Sequence, residues 1–279
     1  MKRYLTYLAA ALVLAGFSAC QEKALDYCNS QIIDSKVEQN EFDEWLVENY
    51  IEPYNIMFKY RMEKNESDFN YWLVPATYEN SIKMAKLMKF LCFEPYDDIT
   101  GSKEFIKSYY PKMIHLVGSG AYRNNGTFVL GTAEGGLKIT MYFVNEMRID
   151  PAYLNEYYFK TMHHEFAHIL NQTKPFSTDF NAISGPDYVT DTWSDAWADD
   201  AEAQQNGFIS AYASSEANED FVELLSIYVT NPASYWNNII WYTYSNYSRM
   251  QVLVLLRSRL SSRLCTTTCS ALGISILMN

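Results

Sequence analysis

The chain reads as an α+β protein in which a small mixed sheet precedes a helix with paired histidines and a mainly helical C-terminal part. Three observations carry this. Residues 112–145 break into short β-prone runs separated by glycine turns, whereas the segments on either side repeat apolar residues at helical spacing. His164-Glu165-Phe166-Ala167-His168 lies inside a helical apolar frame made by Phe159, Met162, Phe166, Ile169 and Leu170. A second helical pattern follows, with Glu219 and Glu223 on one face and an apolar run behind them.

The first twenty residues stand apart from that plan. Lys2 and Arg3, the apolar run 4–17 and the small residues Ser18 and Ala19 before Cys20 follow the layout of an export signal, too short for a stable membrane span. Phe17-Ser18-Ala19-Cys20 resembles a bacterial lipobox, with Phe17 in place of the usual aliphatic residue. The resemblance implies a lipoprotein signal peptide over 1–19, lipidation of Cys20 and attachment to a membrane through that lipid; an ordinary cleaved signal remains the alternative. Residues 20–40 are polar and mixed, as a tether to a folded domain would be.

The folded part is expected over 41–236. Phe42, Trp45, Leu46, Tyr50 and Ile51 give a first helix closed by Pro53, and 56–62 alternates like a strand before the turn 63–67. A second helix is predicted over 78–93, on the stripe Ile82, Ala85, Leu87, Met88 and Leu91, and a third over 103–109, stopped by Pro111. Strands are predicted over 113–117, 128–130 and 137–144. The glycine-rich stretch 131–136 lacks the strand-to-helix setting of a phosphate loop and reads as a mobile hairpin. His115 alternates with apolar residues and reads as a satisfied core histidine. From about residue 239 the text turns Ser-, Thr-, Leu- and Arg-rich, and no Asp or Glu follows Glu223. Residues 237–279 are therefore an atypical tail, either a basic helix over 250–264 or the product of a frameshift.

Composition narrows the function. A formal net charge of −11 argues against nucleic acid, which is bound by clustered Lys and Arg. With 48% hydrophobic residues the chain has material for a core. Its 5 cysteines include no C-x-x-C pair, so no zinc ribbon is indicated.

The chemistry rests on the H-E-x-x-H motif. His164 and His168, four apart on a helix, can turn both imidazoles to one ion, with Glu165 beside them to take a proton from a water. Zinc sites of this kind use three protein ligands and leave one place open. His168 is the last histidine and Lys174 stands six residues on, so the third ligand is expected to be a carboxylate. Glu219 is assigned to it, with Glu223 behind as the acceptor that orients a ligand histidine. Asp199 and Glu202 are rival ligands, and an acidic turn that merely complements a helix dipole is the plain alternative. His163 points about 100° away from His164 and is placed in the packing around the site.

A sheet followed directly by a helix with H-E-x-x-H resembles the zincin metallopeptidases, in which the strand before the metal helix lies along the substrate cleft. The pairing of that motif with Asn218-Glu219-Asp220-Phe221-Val222-Glu223 looks like the gluzincin pattern. More closely, 154–172, 212–215 and Leu130-Gly131-Thr132-Ala133-Glu134-Gly135-Gly136 resemble the substrate import-associated zinc metallohydrolase lipoproteins of Bacteroidetes, over about 41–236. That resemblance implies a zincin-like fold, Zn2+ as cofactor, a peptide or protein substrate, TonB-dependent importer components as partners, and an outer-membrane location facing the periplasm or the cell surface. Glu165 would then be general base and Tyr212 a donor to the transition state, though with 23 tyrosines a packing role for Tyr212 stands beside it. The acidic, aromatic segment 190–202, with Trp193 and Trp197, would select cationic or sugar-bearing substrates or simply cover the site. A non-catalytic, substrate-binding lipoprotein of an uptake system is the alternative function, and hydrolysis of another amide or ester bond a third.

Overall fold

The computed structural model describes residues 38–246 apart from Phe69 and Asn125, with backbone alone over 240–246. The expected signal, Cys20, most of the tether and the helix expected over 250–264 fall outside the described residues.

The fold begins one residue earlier than expected. Asn40 caps α1 (Glu41–Leu46): its side chain accepts from the N–H groups of Phe42 and Asp43, and the Asp43 carboxylate accepts from the Asn40 N–H. The helix then runs past Pro53, through a π-helical turn (Val47–Ile51) and a last turn (Glu52–Tyr54), and ends at Asn55 with φ 55°. The same device recurs where α2 (Tyr78–Met88) passes through the π turn Lys89–Phe93 into α3 (Glu94–Thr100), across Pro95. A π turn adds a residue and loosens the hydrogen-bond ladder, so a proline without an N–H can follow without ending the helix. It also shifts the buried face: Cys92 and Phe93 enter the core, and Leu91 is left exposed. Next, α4 (Glu104–Tyr109) stops before Pro111 as expected.

The main sheet has the order β1-β2-β6-β5, formed by β1 (Met57–Lys59), β2 (Met113–Leu116), β5 (Gly131–Glu134) and β6 (Lys138–Met141). Its first three strands are parallel and β5 is antiparallel. The short strands β3 (Ala121–Tyr122) and β4 (Phe128–Val129) form a separate hairpin. The stretch 131–136 does form the expected hairpin, with β6 as its second arm. It supplies the edge strand of the sheet and the turn at Gly135 and Gly136, whose φ values of 57° and 72° suit glycine.

Register separates the two faces of this sheet. Phe58, Ile114, Ile139 and Ala133 stand side by side in one row, and the first three are buried in the core. The next row, on the other face, is Lys59, His115, Thr140 and Thr132. His115 is fully buried there, yet neither ring nitrogen has a hydrogen-bond partner among the described groups, so it is not the satisfied histidine expected. Burial, aided by the nearby Lys138 charge, lowers its pKa and keeps the ring neutral.

The rest is helical. After α5 (Pro151–Leu154) and a π turn (Asn155–Phe159) comes α6 (Lys160–Thr173), which carries the histidines. Then follow α7 (Thr178–Ser184), α8 (Trp193–Ala196), α9 (Asp200–Gln205), α10 (Ala217–Thr230) and α11 (Ala233–Asn246). The last of these runs without a break across the expected boundary at 236/237. Among the described residues no helix is long and apolar enough to cross a membrane.

Candidate metal centre

Two helices meet here, each presenting a pair of side chains four residues apart. On α6 these are His164 and His168; on α10, packed against it, they are Glu219 and Glu223. Each helix is anchored on its far side by a buried aromatic: Phe166 packs on Tyr96, Phe105 and Tyr110, and Phe221 on Phe176 and Phe180.

The ends of three side chains converge on one point. His164 Nε2 and His168 Nε2 are 3.2 Å apart, and Glu219 Oε2 lies 3.1 Å from the first and 3.4 Å from the second. A tetrahedral ion with bonds of about 2.05 Å sets its ligand atoms about 3.3 Å apart, so three edges of a zinc tetrahedron are already in place. Among the described residues this is the one cluster with metal-ligand geometry. Glu219 Oε2 is buried, and its ion-pair partners are the two imidazole nitrogens themselves, so a carboxylate oxygen is held out of water where a cation would sit. The donor set of two imidazoles and a carboxylate suits zinc.

Glu223 sits behind His164. Its Oε1 is 2.9 Å from His164 Nδ1, and its Oε2 accepts from Ser210 Oγ at 2.7 Å and pairs with Lys160 Nζ at 2.9 Å. With Nδ1 held by a carboxylate, the other ring nitrogen is free to face the metal position. Without a metal the charges pair among themselves. Burial opposes a charge on His164, but hydrogen bonds to Glu219 and Glu223 outweigh it and raise its pKa to about 10. Burial likewise opposes both carboxylates, and His164 and His168 lower Glu219 to about 2, while Lys160 and His164 lower Glu223 to about 2.

Glu165 is turned toward the sheet. It is buried beneath β5, where the Ala133 N–H reaches its carboxylate, and desolvation raises its pKa against the pull of His164 and His168. This packing needs Gly131: a Cβ there would stand 2.5 Å from Thr161 Cγ2 and 3.3 Å from Glu165 Cγ. The strand along the site is therefore β5 and not β6, every residue of which is buried inside the sheet. A cavity of about 270 Å³ opens between the β3–β4 hairpin, β5 and α6, and its lining includes His164, Glu165, Tyr212 and Trp193.

Tyr212 lies in that cavity with its ring 6.0 Å from the His164 ring and roughly parallel to it, and Trp193 meets it edge-on at 4.9 Å. Burial and the negative charges of Glu219 and Glu223 raise its pKa, so its hydroxyl keeps a proton to donate. His163 points away from the cluster and its Nδ1 bonds the Tyr96 hydroxyl at 3.0 Å. The rival ligands are not at the centre. Asp199 caps α9, accepting from Glu202 N–H, and the Glu202 carboxylate accepts from Ala198 N–H. Of the acidic, aromatic segment, Trp193 reaches the cavity, while Trp197 donates to Ser214 Oγ and packs on Phe208.

Several contributors carry no motif. Lys160 stands four residues before His164, so helical spacing alone puts it on the same face. Gly131 belongs to a glycine-rich stretch whose demand for close approach is visible only once β5 lies on α6. Ser210 gives no sequence signal.

Against this geometry, the model of the family described as "putative zinc-binding metallo-peptidase" matches residues 35–257. The chain belongs to this family. A crystal structure of a putative zinc-binding metallo-peptidase from Bacteroides caccae ATCC 43185 is 37% identical, with a TM-score of 0.62, over 86% of this chain and 99% of that one. No curated protein matches. Membership accords with the mixed α+β architecture and with a His-His-Glu cluster suited to zinc.

Proposed function

We propose that the protein is a zinc-dependent metallopeptidase that holds its ion with His164, His168 and Glu219 and uses Glu165 as general base. The observation that carries this is the convergence of three ligand atoms at 3.1 to 3.4 Å next to a buried carboxylate in an open cavity. When bound, zinc supplies a Lewis acid that polarises a carbonyl and acidifies water. Glu165, whose raised pKa brings it nearer neutrality, accepts the proton of the attacking water and returns it to the leaving amine. Glu223 keeps His164 in one tautomer. Tyr212, protonated and at the cavity wall, donates to the carbonyl oxygen as charge builds on it.

A gluzincin arrangement, with its ligand carboxylate on a later helix, is supported by the place of Glu219 on α10. For the cell, the lipobox-like sequence ending at Cys20 supports an outer-membrane lipoprotein facing the periplasm or the surface, and the family resemblance supports a link to TonB-dependent nutrient import. Peptide hydrolysis by zinc-loaded wild type and by Glu165→Gln tests the reading. The variant should keep stoichiometric zinc and lose roughly 10²- to 10⁴-fold in rate. A variant as active as wild type would remove Glu165 from the chemistry.

A further inference from the structure

One wall of the cavity comes entirely from the stretch that starts at the β3–β4 hairpin: Arg123, Thr127, Phe128, Val129, Leu130 and Gly131. The opposite wall is acidic, with Glu156, Glu165 and Glu223. Two cations line the space. Lys160 is committed to Glu223 at 2.9 Å, whereas Arg123 forms no ion pair with a described residue. The backbone of Arg123 is fixed: its N–H donates to Thr127 O at 2.8 Å, and its carbonyl accepts from Gly126 N–H at 3.1 Å, with Gly126 at φ 84°. Beside it Phe128 packs on Phe143 at 5.1 Å and on Tyr122 at 5.9 Å, a brace that holds the hairpin against the cavity edge.

Resting on the peptidase reading, we propose that Arg123 makes the cavity selective for substrates that carry a carboxylate close to the scissile bond. A guanidinium binds a carboxylate through two parallel charge-assisted hydrogen bonds, a geometry that a neutral amide cannot reproduce. Elsewhere the site repels anions: the chain carries a net charge of −11 and the cavity's other wall is acidic, so a carboxylate can enter only where an uncommitted cation meets it. The Arg123 charge is also felt within the site, where it partly offsets the rise in the Tyr212 pKa. The carboxylate can come from an Asp or Glu side chain or from a free peptide C-terminus.

The test is binding of uncut peptides to zinc-loaded Glu165→Gln protein by calorimetry, alongside cleavage by the otherwise wild-type enzyme. One peptide pair differs only by Glu against Gln, placed in turn on each side of the target bond. The other differs only in a free against an amidated C-terminus. The carboxylate member of at least one pair should bind on the order of tenfold more tightly, the scale of a charged hydrogen bond, and the responding pair identifies the source. Arg123→Gln on the same background should bring that ratio near one, Arg123→Lys should restore part of it, and Arg123→Glu should invert it. A ratio near one in the parent protein, or one unchanged by Arg123→Gln, overturns the proposal. Failure of the peptidase reading shows separately, as peptides bound with this preference but left uncut by the enzyme with Glu165 intact.

Discussion

Replacing Glu223 by Gln tests the centre at a residue that supports a ligand and is not one. The carboxylate is 2% exposed and gathers three partners, His164 Nδ1 at 2.9 Å, Ser210 Oγ at 2.7 Å and Lys160 Nζ at 2.9 Å. An amide keeps the volume but has one acceptor atom in place of two. If its oxygen stays with His164, its NH₂ group faces Ser210 and the Lys160 ammonium, which loses its counter-charge. If the amide turns over, the His164 N–H is set against a donor and the ring is no longer held. Partners of this kind cost about 10- to 100-fold in metal affinity when removed, or about 1.4 to 2.7 kcal/mol. Competition with a chromophoric chelator at neutral pH measures that loss directly. The gain in Tm on adding zinc should shrink in step, because stabilisation by a ligand follows its affinity. Ser210→Ala removes one donor from the cluster and leaves His164 held, so it should cost much less. Wild-type zinc affinity in Glu223→Gln would refute the claim that this carboxylate orients His164.

Glu219→Ala should abolish stoichiometric zinc binding, and zinc kept at full affinity would strike Glu219 from the ligand set. Gly131→Ala places a methyl 2.5 Å from Thr161 Cγ2, so β5 must move off α6. Overpacking of this size costs about 1 to 3 kcal/mol, read as a lower Tm, and an unchanged Tm would contradict the contact. Metal-free protein should be most stable between about pH 4.5 and 6.5. His164, raised to about 10 from 6.5, contributes stability that is lost as pH climbs from the lower value to the higher. Glu219 and Glu223, lowered to about 2 from 4.5, contribute stability that is lost as pH falls through that interval. Asp220, raised by burial to about 7 from 3.8, adds to the decline as pH rises toward neutrality. Thermal melts in a chelator from pH 4 to 10 give the profile, and stability still rising above pH 7 would contradict it.

What the sequence discloses about the site follows from local periodicity. His164 with His168 and Glu219 with Glu223 are both i, i+4 pairs, so each side of the centre is written within one helical turn. That the two turns meet depends on the packing of α6 on α10, a contact between segments about fifty residues apart that neither periodicity states. The parts the sequence conceals are those set by contacts between distant segments. Gly131 reads as loop chemistry because its function is steric and its neighbour Thr161 is thirty residues away. Pro53 reads as a helix stop, and the second helix reads as ending at residue 93, because a π turn, which lets the chain continue, depends on one extra residue and has no signature of its own. His115 reads as core by alternation, correctly for burial, yet its row is the polar one, with Lys59 on one side and Thr140 on the other, and neither ring nitrogen finds a hydrogen-bond partner among the described groups. Alternation tells which residues share a face; only the partner segment decides which face is dry. The same reasoning explains Arg123. In the sequence it is one charge in a turn, and it acquires a meaning only because Lys160, the other cation of the cavity, is already bound to Glu223.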